Sequence, residues 1–176
     1  MNKIIYNLFA ISLFSLLLIS CEDERKIDIE SKVYMPQSNY GITYVVPNNG
    51  TDIQKNKNYE ISDNKLKIYL GVYCSGLGEM KGYSVDVTTE SVPIDGTTIL
   101  PESDFSLPQK IIVEKGNREG YFNLEVNMEF LKNNRNTDFS LPVKITNVTN
   151  YELYDNLATT KIHIKTSELL EKENIE

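Results

Sequence analysis

From residue 32 onward the chain is dominated by apolar and polar residues in strict alternation, the two-residue period of a strand with one face in a core and one in water. The clearest case is Lys65 to Cys74. Leu66, Ile68, Leu70, Val72 and Cys74 share one face, and Lys67, Tyr69, Gly71 and Tyr73 occupy the other. The same period predicts strands at Lys32–Met35, Gly41–Val46, Tyr83–Thr88, Ile111–Glu114, Tyr121–Met128, Phe139–Thr146 and around Ile162 and Ile164. Clusters of Gly, Pro and Asn separate them: Pro47-Asn48-Asn49-Gly50, Ser75-Gly76-Leu77-Gly78 and Lys115-Gly116-Asn117. The polar stretch up to Asn64 reads as loop. Pro142 has no N–H to give to a ladder, so its strand is expected to meet an edge or a bulge there.

Seven or eight short strands predict an all-β fold, an immunoglobulin-like antiparallel β-sandwich of two sheets, with a small barrel as the alternative. Immunoglobulin-like describes architecture alone, because the chain has no Trp and, of its two cysteines, Cys21 lies ahead of the domain and is expected below to carry lipid. The pattern places this β-sandwich domain at residues 32–166, with residues 167–176 as an acidic tail forming at most a frayed helical turn.

The first 20 residues follow a different pattern. Lys3 precedes an uncharged run from Leu8 to Ile19, the length of a secretory signal core and short of the ~20 residues that span a bilayer. The run ends in Leu18-Ile19-Ser20-Cys21, which resembles a lipobox: a branched apolar residue, a small residue at the cleavage point, then the cysteine that receives the lipid. Residues 1–20 are therefore expected to be a lipoprotein signal peptide and Cys21 the lipidation site. Residues 21–31 would be a charged tether. Two or three acyl chains, at ~0.8 kcal/mol per buried methylene, would hold the domain to a membrane. The acidic Glu22-Asp23-Glu24 resembles the signal that sends lipoproteins of Bacteroidota-type bacteria to the outer face of the outer membrane.

Charge and composition narrow the chemistry. With 18 Lys and Arg against 25 Asp and Glu, the net charge is −7, so nucleic acid is not an expected partner. Cys74, in register with the apolar face of its strand, is expected to be a small core residue. His163 is the single histidine, which argues against a His-rich metal site, and its apolar neighbours Ile162 and Ile164 place it facing solvent. Glu125 and Glu129 would share a strand face at about 13 Å, too far apart for the carboxylate pair of a glycosidase. No catalytic residue, cofactor or metal is expected.

The segment Asp95-Gly96-Thr97-Thr98-Ile99-Leu100-Pro101-Glu102-Ser103-Asp104-Phe105-Ser106-Leu107-Pro108, with Ile111-Ile112-Val113-Glu114-Lys115-Gly116 after it, resembles the N-terminal β-sandwich domain of unknown function in Bacteroidota surface lipoproteins. Phe139-Ser140-Leu141-Pro142-Val143-Lys144-Ile145 resembles a later strand of that family. In its members this domain precedes glycan-binding or glycosidase domains, whose activities are not carried over to these residues. Asp95-Gly96-Thr97 to Asp104-Phe105 also resembles the signature of calcium-binding β-sandwich repeats, yet only Asp95, Glu102 and Asp104 lie near one another in sequence. Calcium needs six to eight oxygens.

The residues best suited to binding are Tyr69, Tyr73 and Tyr121, each on the polar face of its strand, where a flat ring can stack on a sugar while its hydroxyl bonds. Cross-strand tyrosines also stabilise sheets without binding anything. The expected function is a non-catalytic, surface-exposed lipoprotein, a binding or accessory module of a glycan-acquisition system holding polysaccharide. The alternative is a structural or assembly subunit of an outer-membrane or pilus-like protein complex, contacting partners through a sheet edge.

Overall fold

The computed structural model describes residues 30–38, 43–48 and 57–175. Cys21, the signal segment and most of the tether lie outside the described residues.

Two sheets face each other. The first contains β1 (Lys32–Tyr34), β3 (Tyr59–Ser62), β4 (Lys65–Cys74), β7 (Phe105–Ser106), β9 (Glu119–Asn127) and β11 (Glu152–Leu153), in the order β11-β1-β4-β9-β7 with β3 also on β4. The second contains β2 (Tyr44–Val46), β5 (Tyr83–Thr89), β6 (Thr98–Ile99), β8 (Lys110–Val113), β10 (Phe139–Thr146) and β12 (Thr159–Ile164), in the order β2-β12-β10-β5-β8 with β6 also on β10. The alternating inner residues of both sheets merge into one core, from Leu66, Ile68 and Leu70 on β4 to Val143 and Ile145 on β10. The all-β sandwich expected from the alternation is the observed architecture. Pairings among the longer strands are antiparallel, and three parallel contacts (β1 with β11, β2 with β12, β6 with β10) each involve a strand of two or three residues.

Four local expectations are corrected. The stretch before Asn64 is not all loop. Tyr59 to Ser62 pairs with Ile68 to Lys65, and Asp63 and Asn64 close the hairpin as a two-residue turn with φ of 54° and 58°, the conformation such turns require. Pro142 lies inside the central strand β10. Its carbonyl accepts from Glu90 N at 3.0 Å, so its missing N–H points to that same side, where β5 has ended at Thr89 and β6 covers only Phe139 and Ser140. The proline occupies a gap between two partial partners, and its pairing with Lys161 of β12 is intact. Glu129 is not on a strand, because β9 stops at Asn127, whose side chain caps α1 (Met128–Asn133) by accepting from Glu129 N at 3.0 Å. Finally, the segment read as an acidic tail contains α2 (Thr166–Lys172), with Leu169 and Leu170 buried in the core; it belongs to the domain.

The strand directions give the molecule two poles. Val33 pairs with Cys74, so the chain enters beside the C-terminal end of β4. Lys65, Asn127, α1 and α2 lie at the other end, roughly 30 Å away for a ten-residue strand.

Candidate functional site

Outward-facing residues of β1, β4 and β9 form one open surface. Register sets its pattern: Tyr69 lies opposite Asn123, Gly71 opposite Tyr121, and Tyr73 opposite Glu119. Tyr121 is therefore diagonal to both Tyr69 and Tyr73, about 7–8 Å from each between backbones. Gly71 makes this possible. An added Cβ there would sit 3.3 Å from Tyr121 Cδ1, so the ring of Tyr121 leans over the glycine and occupies the space between the other two tyrosines. The three predicted residues are thus brought together on one face. Tyr121 is the most open, 74% exposed, against 38% for Tyr69.

Tyr34 joins them, its ring centroid 5.6 Å from that of Tyr73 at a tilt of 56°. It is absent from the three residues singled out in the sequence, although Val33 and Met35, both buried, bracket it and set it on the outer face. A three-residue strand carries too little alternation to draw the eye.

Acidic residues border the rings. Tyr69 Oη donates to Glu60 Oε2 at 2.9 Å, and this bond raises the tyrosine hydroxyl's pKa while lowering that of Glu60. Tyr121 is raised in the same way by its bond to Glu119. Each hydroxyl stays protonated at neutral pH and retains its lone pairs for a ligand's O–H.

At the pole opposite the chain entry, the same face opens into a cleft of about 330 Å³. The hairpin turn contributes Asp63, a 3-10 turn (Glu102–Asp104) running into β7 contributes Asp104, Phe105 and Ser106, and β4 and β9 contribute Lys65 and Glu125. Lys65 Nζ donates to Glu125 Oε2 at 2.6 Å, and Ser106 Oγ reaches the same oxygen at 3.4 Å. The Lys65 bond holds the Glu125 carboxyl below the usual carboxylate range. Sequence reasoning missed this cleft, because Asp63, Asp104 and Glu125 come from three separate segments that only the sheet pairing assembles. Among the described residues, no three His, Cys, Asp or Glu side chains converge to hold a metal ion, so Asp95, Glu102 and Asp104 do not form a calcium cage there.

Cys74 is free and fully buried, and burial pushes its thiol pKa up, as suits a core residue. His163 departs from the solvent-facing position expected for it. Only 20% of its side chain is exposed, and Nε2 lies 3.2 Å from Asp138 Oδ2.

Comparison with known proteins adds the family. No curated protein matches the sequence. Among solved structures, similar chains include a protein of unknown function from Bacteroides ovatus (17% identity, TM-score 0.44, 57% of this chain and 36% of that one). A second is the apo form of the Calx CBD1 domain (17%, TM-score 0.45, 77% and 96%). A third is a provisionally assigned carbohydrate binding protein from Bacteroides ovatus (13%, TM-score 0.48, 76% and 36%). The chain spans 36% of the length of each of those two Bacteroides proteins. The model of a "-like, N-terminal domain" family matches residues 29–152. That match runs from β1 to the start of β11, most of both sheets, and the chain belongs to this family of N-terminal domains, the β-sandwich that its Asp95–Pro108 segment resembles.

Proposed function

We propose that this chain is a non-catalytic binding module, lipid-anchored through Cys21 at the cell surface, that holds polysaccharide against the tyrosine face of its first sheet as part of a glycan-acquisition system. The observation that carries the reading is the convergence of Tyr69, Tyr73 and Tyr121 around Gly71, with Tyr34 against Tyr73. Flat rings bearing hydroxyls, those of Tyr69 and Tyr121 exposed, suit the alternating C–H and O–H surfaces of a pyranose. Glu125, one of three carboxyls lining the cleft, is held below the usual carboxylate range by Lys65 and so does not suit the part of a proton-donating glycosidase acid. Anchoring is supported by the Leu18-Ile19-Ser20-Cys21 sequence alone.

Affinity electrophoresis in gels containing neutral plant or microbial polysaccharides tests the reading. The chain should be retarded by at least one of them, and Tyr73→Ala with Tyr121→Ala should restore free migration. Equal retardation of the double variant would remove the tyrosines from the site.

A second reading, an assembly subunit, is favoured by β8, which ends its sheet with Ile112 69% exposed. Among the described residues the outer edge of β8 carries no partner strand, and such an edge can take one. A chain acting this way would ignore every polysaccharide and co-purify with a membrane complex.

A further inference from the structure

The cleft at the pole opposite the chain entry has a chemistry distinct from that of the tyrosines. Three of its side chains, Asp63, Asp104 and Glu125, only accept when ionised; Lys65 gives one of its three N–H groups to Glu125, Lys67 pairs with Asp63, and Ser103 donates to Asp104. A ligand suited to it must bring hydrogen-bond donors and no negative charge. Among the described residues the carboxylates do not converge on one point as a metal cage would. Phe105, opposite the buried Val126, turns inward and packs against the core, which leaves the outward Ser106 and Glu125 to line the open side. At about 330 Å³ the space falls within the lower range of small-molecule sites.

Continuity with the tyrosines identifies what form such a ligand takes. Glu125 and Tyr121 point outward from the same strand with Asn123 between them, as do Lys65 and Tyr69 on the neighbouring strand. Each pair is four residues, about 13 Å, apart. A linear molecule lying along β4 and β9 over the rings therefore runs directly into the cleft.

We propose that the cleft seats a neutral sugar unit of the polysaccharide that the tyrosines hold, its hydroxyls donating to Asp63, Asp104 and Glu125. The proposal rests on the binding reading above and extends it from a stacking surface to a two-part site. Asp104 and Ser106 line the cleft without belonging to the core, so each can be changed with little effect on folding. Asp104→Ala removes an acceptor, and Ser106→Ile fills the mouth with a β-branched side chain suited to its strand.

Titration calorimetry with neutral gluco-, manno- and xylo-oligosaccharides, as disaccharides and hexasaccharides, separates the two parts, with thermal melting as the control for folding. For a hexasaccharide that binds, either cleft variant should weaken affinity about tenfold or more, equivalent to ~1.4 kcal/mol, and Tyr121→Ala should do the same. For the matching disaccharide, the cleft variants should abolish binding and Tyr121→Ala should leave it unchanged. A hexasaccharide that responds to Tyr121→Ala yet ignores both cleft variants would overturn this proposal and leave the tyrosine reading standing. The reverse pattern would uphold the cleft and remove the tyrosines. Failure of the unaltered chain to bind any of these sugars overturns the cleft proposal, even if a polysaccharide gel still retards it.

Discussion

Cys74 illustrates how far a single residue can be read from its neighbours. Its register with Leu66, Ile68, Leu70 and Val72 assigns it to the inner face, and there it is fully buried, with a thiol whose pKa burial raises. The thiolate is the reactive species, so a disulfide reagent added to the domain lacking residues 1–21 should label nothing at neutral pH until denaturant is added. Rapid labelling of the folded chain would contradict the assignment. His163 shows the limit of the same argument. Alternation correctly sets it on the outer face of β12, but a face is not an environment. Asp138, just before β10, pairs across to the His163 ring and also accepts from Thr166 N at 3.1 Å. A contact between residues 25 apart in sequence leaves no local trace.

Among the elements, β9 carries the tightest constraint between sheets. A Cβ on Gly120 would lie 2.7 Å from Val113 Cγ2 and 3.1 Å from Ile111 Cγ2, both on β8 of the opposite sheet. The methyl groups are short and branched and cannot swing away, so the sheets must part. Gly120→Ala should therefore destabilise the fold by about 1–3 kcal/mol, lowering the melting temperature by ~2–4 °C for each kcal/mol; a melt unchanged from the parent would mean that the sheets are not this close. The missed strand Tyr59–Ser62 and the missed helix Thr166–Lys172 share another cause. Each is brief and set in polar sequence, with two inward apolar residues apiece: Tyr59 with Ile61, and Leu169 with Leu170. So short a pattern barely differs from chance, and the core that accepts those side chains decides the outcome.

At the scale of the whole molecule, ionisation and anchoring make the predictions. Carboxyls held below their usual range include Glu125 by Lys65, Asp86 by Asn147, and Glu173 by Lys57 with Tyr59. A depressed folded-state pKa contributes stability that is present above the unfolded value and lost as pH falls through the folded one. Stability should thus decline once pH drops below about 4.5, the ordinary glutamate value, and chemical unfolding followed from pH 7 to pH 3 measures it. At the alkaline end the sign reverses. Burial raises the hydroxyls of Tyr59 and Tyr83, so their contribution persists below the ordinary value of 10.0 and falls away as pH climbs beyond it. A stability profile flat at both ends would contradict these environments. For anchoring, Cys21→Ser should abolish incorporation of labelled palmitate and release the chain from the membrane fraction; retention of label in that variant would refute Cys21 as the modified residue.

The long strands, the inward row from Leu66 to Cys74, the two-sheet class and the outward tyrosines were all determined by the sequence itself, because a two-residue period sustained over seven or more positions fixes which side of a strand meets the core. The family was legible for a related reason, since Asp95 to Pro108 packs turn and core residues into one contiguous run. What only the tertiary structure decided are the relations between distant segments: Tyr121 resting over Gly71, Tyr34 against Tyr73, and a cleft whose carboxyls come from a hairpin tip, a turn and a strand. Register between strands depends on the packing of the entire sandwich, so residues distant in sequence become neighbours only when the two sheets close on their shared core.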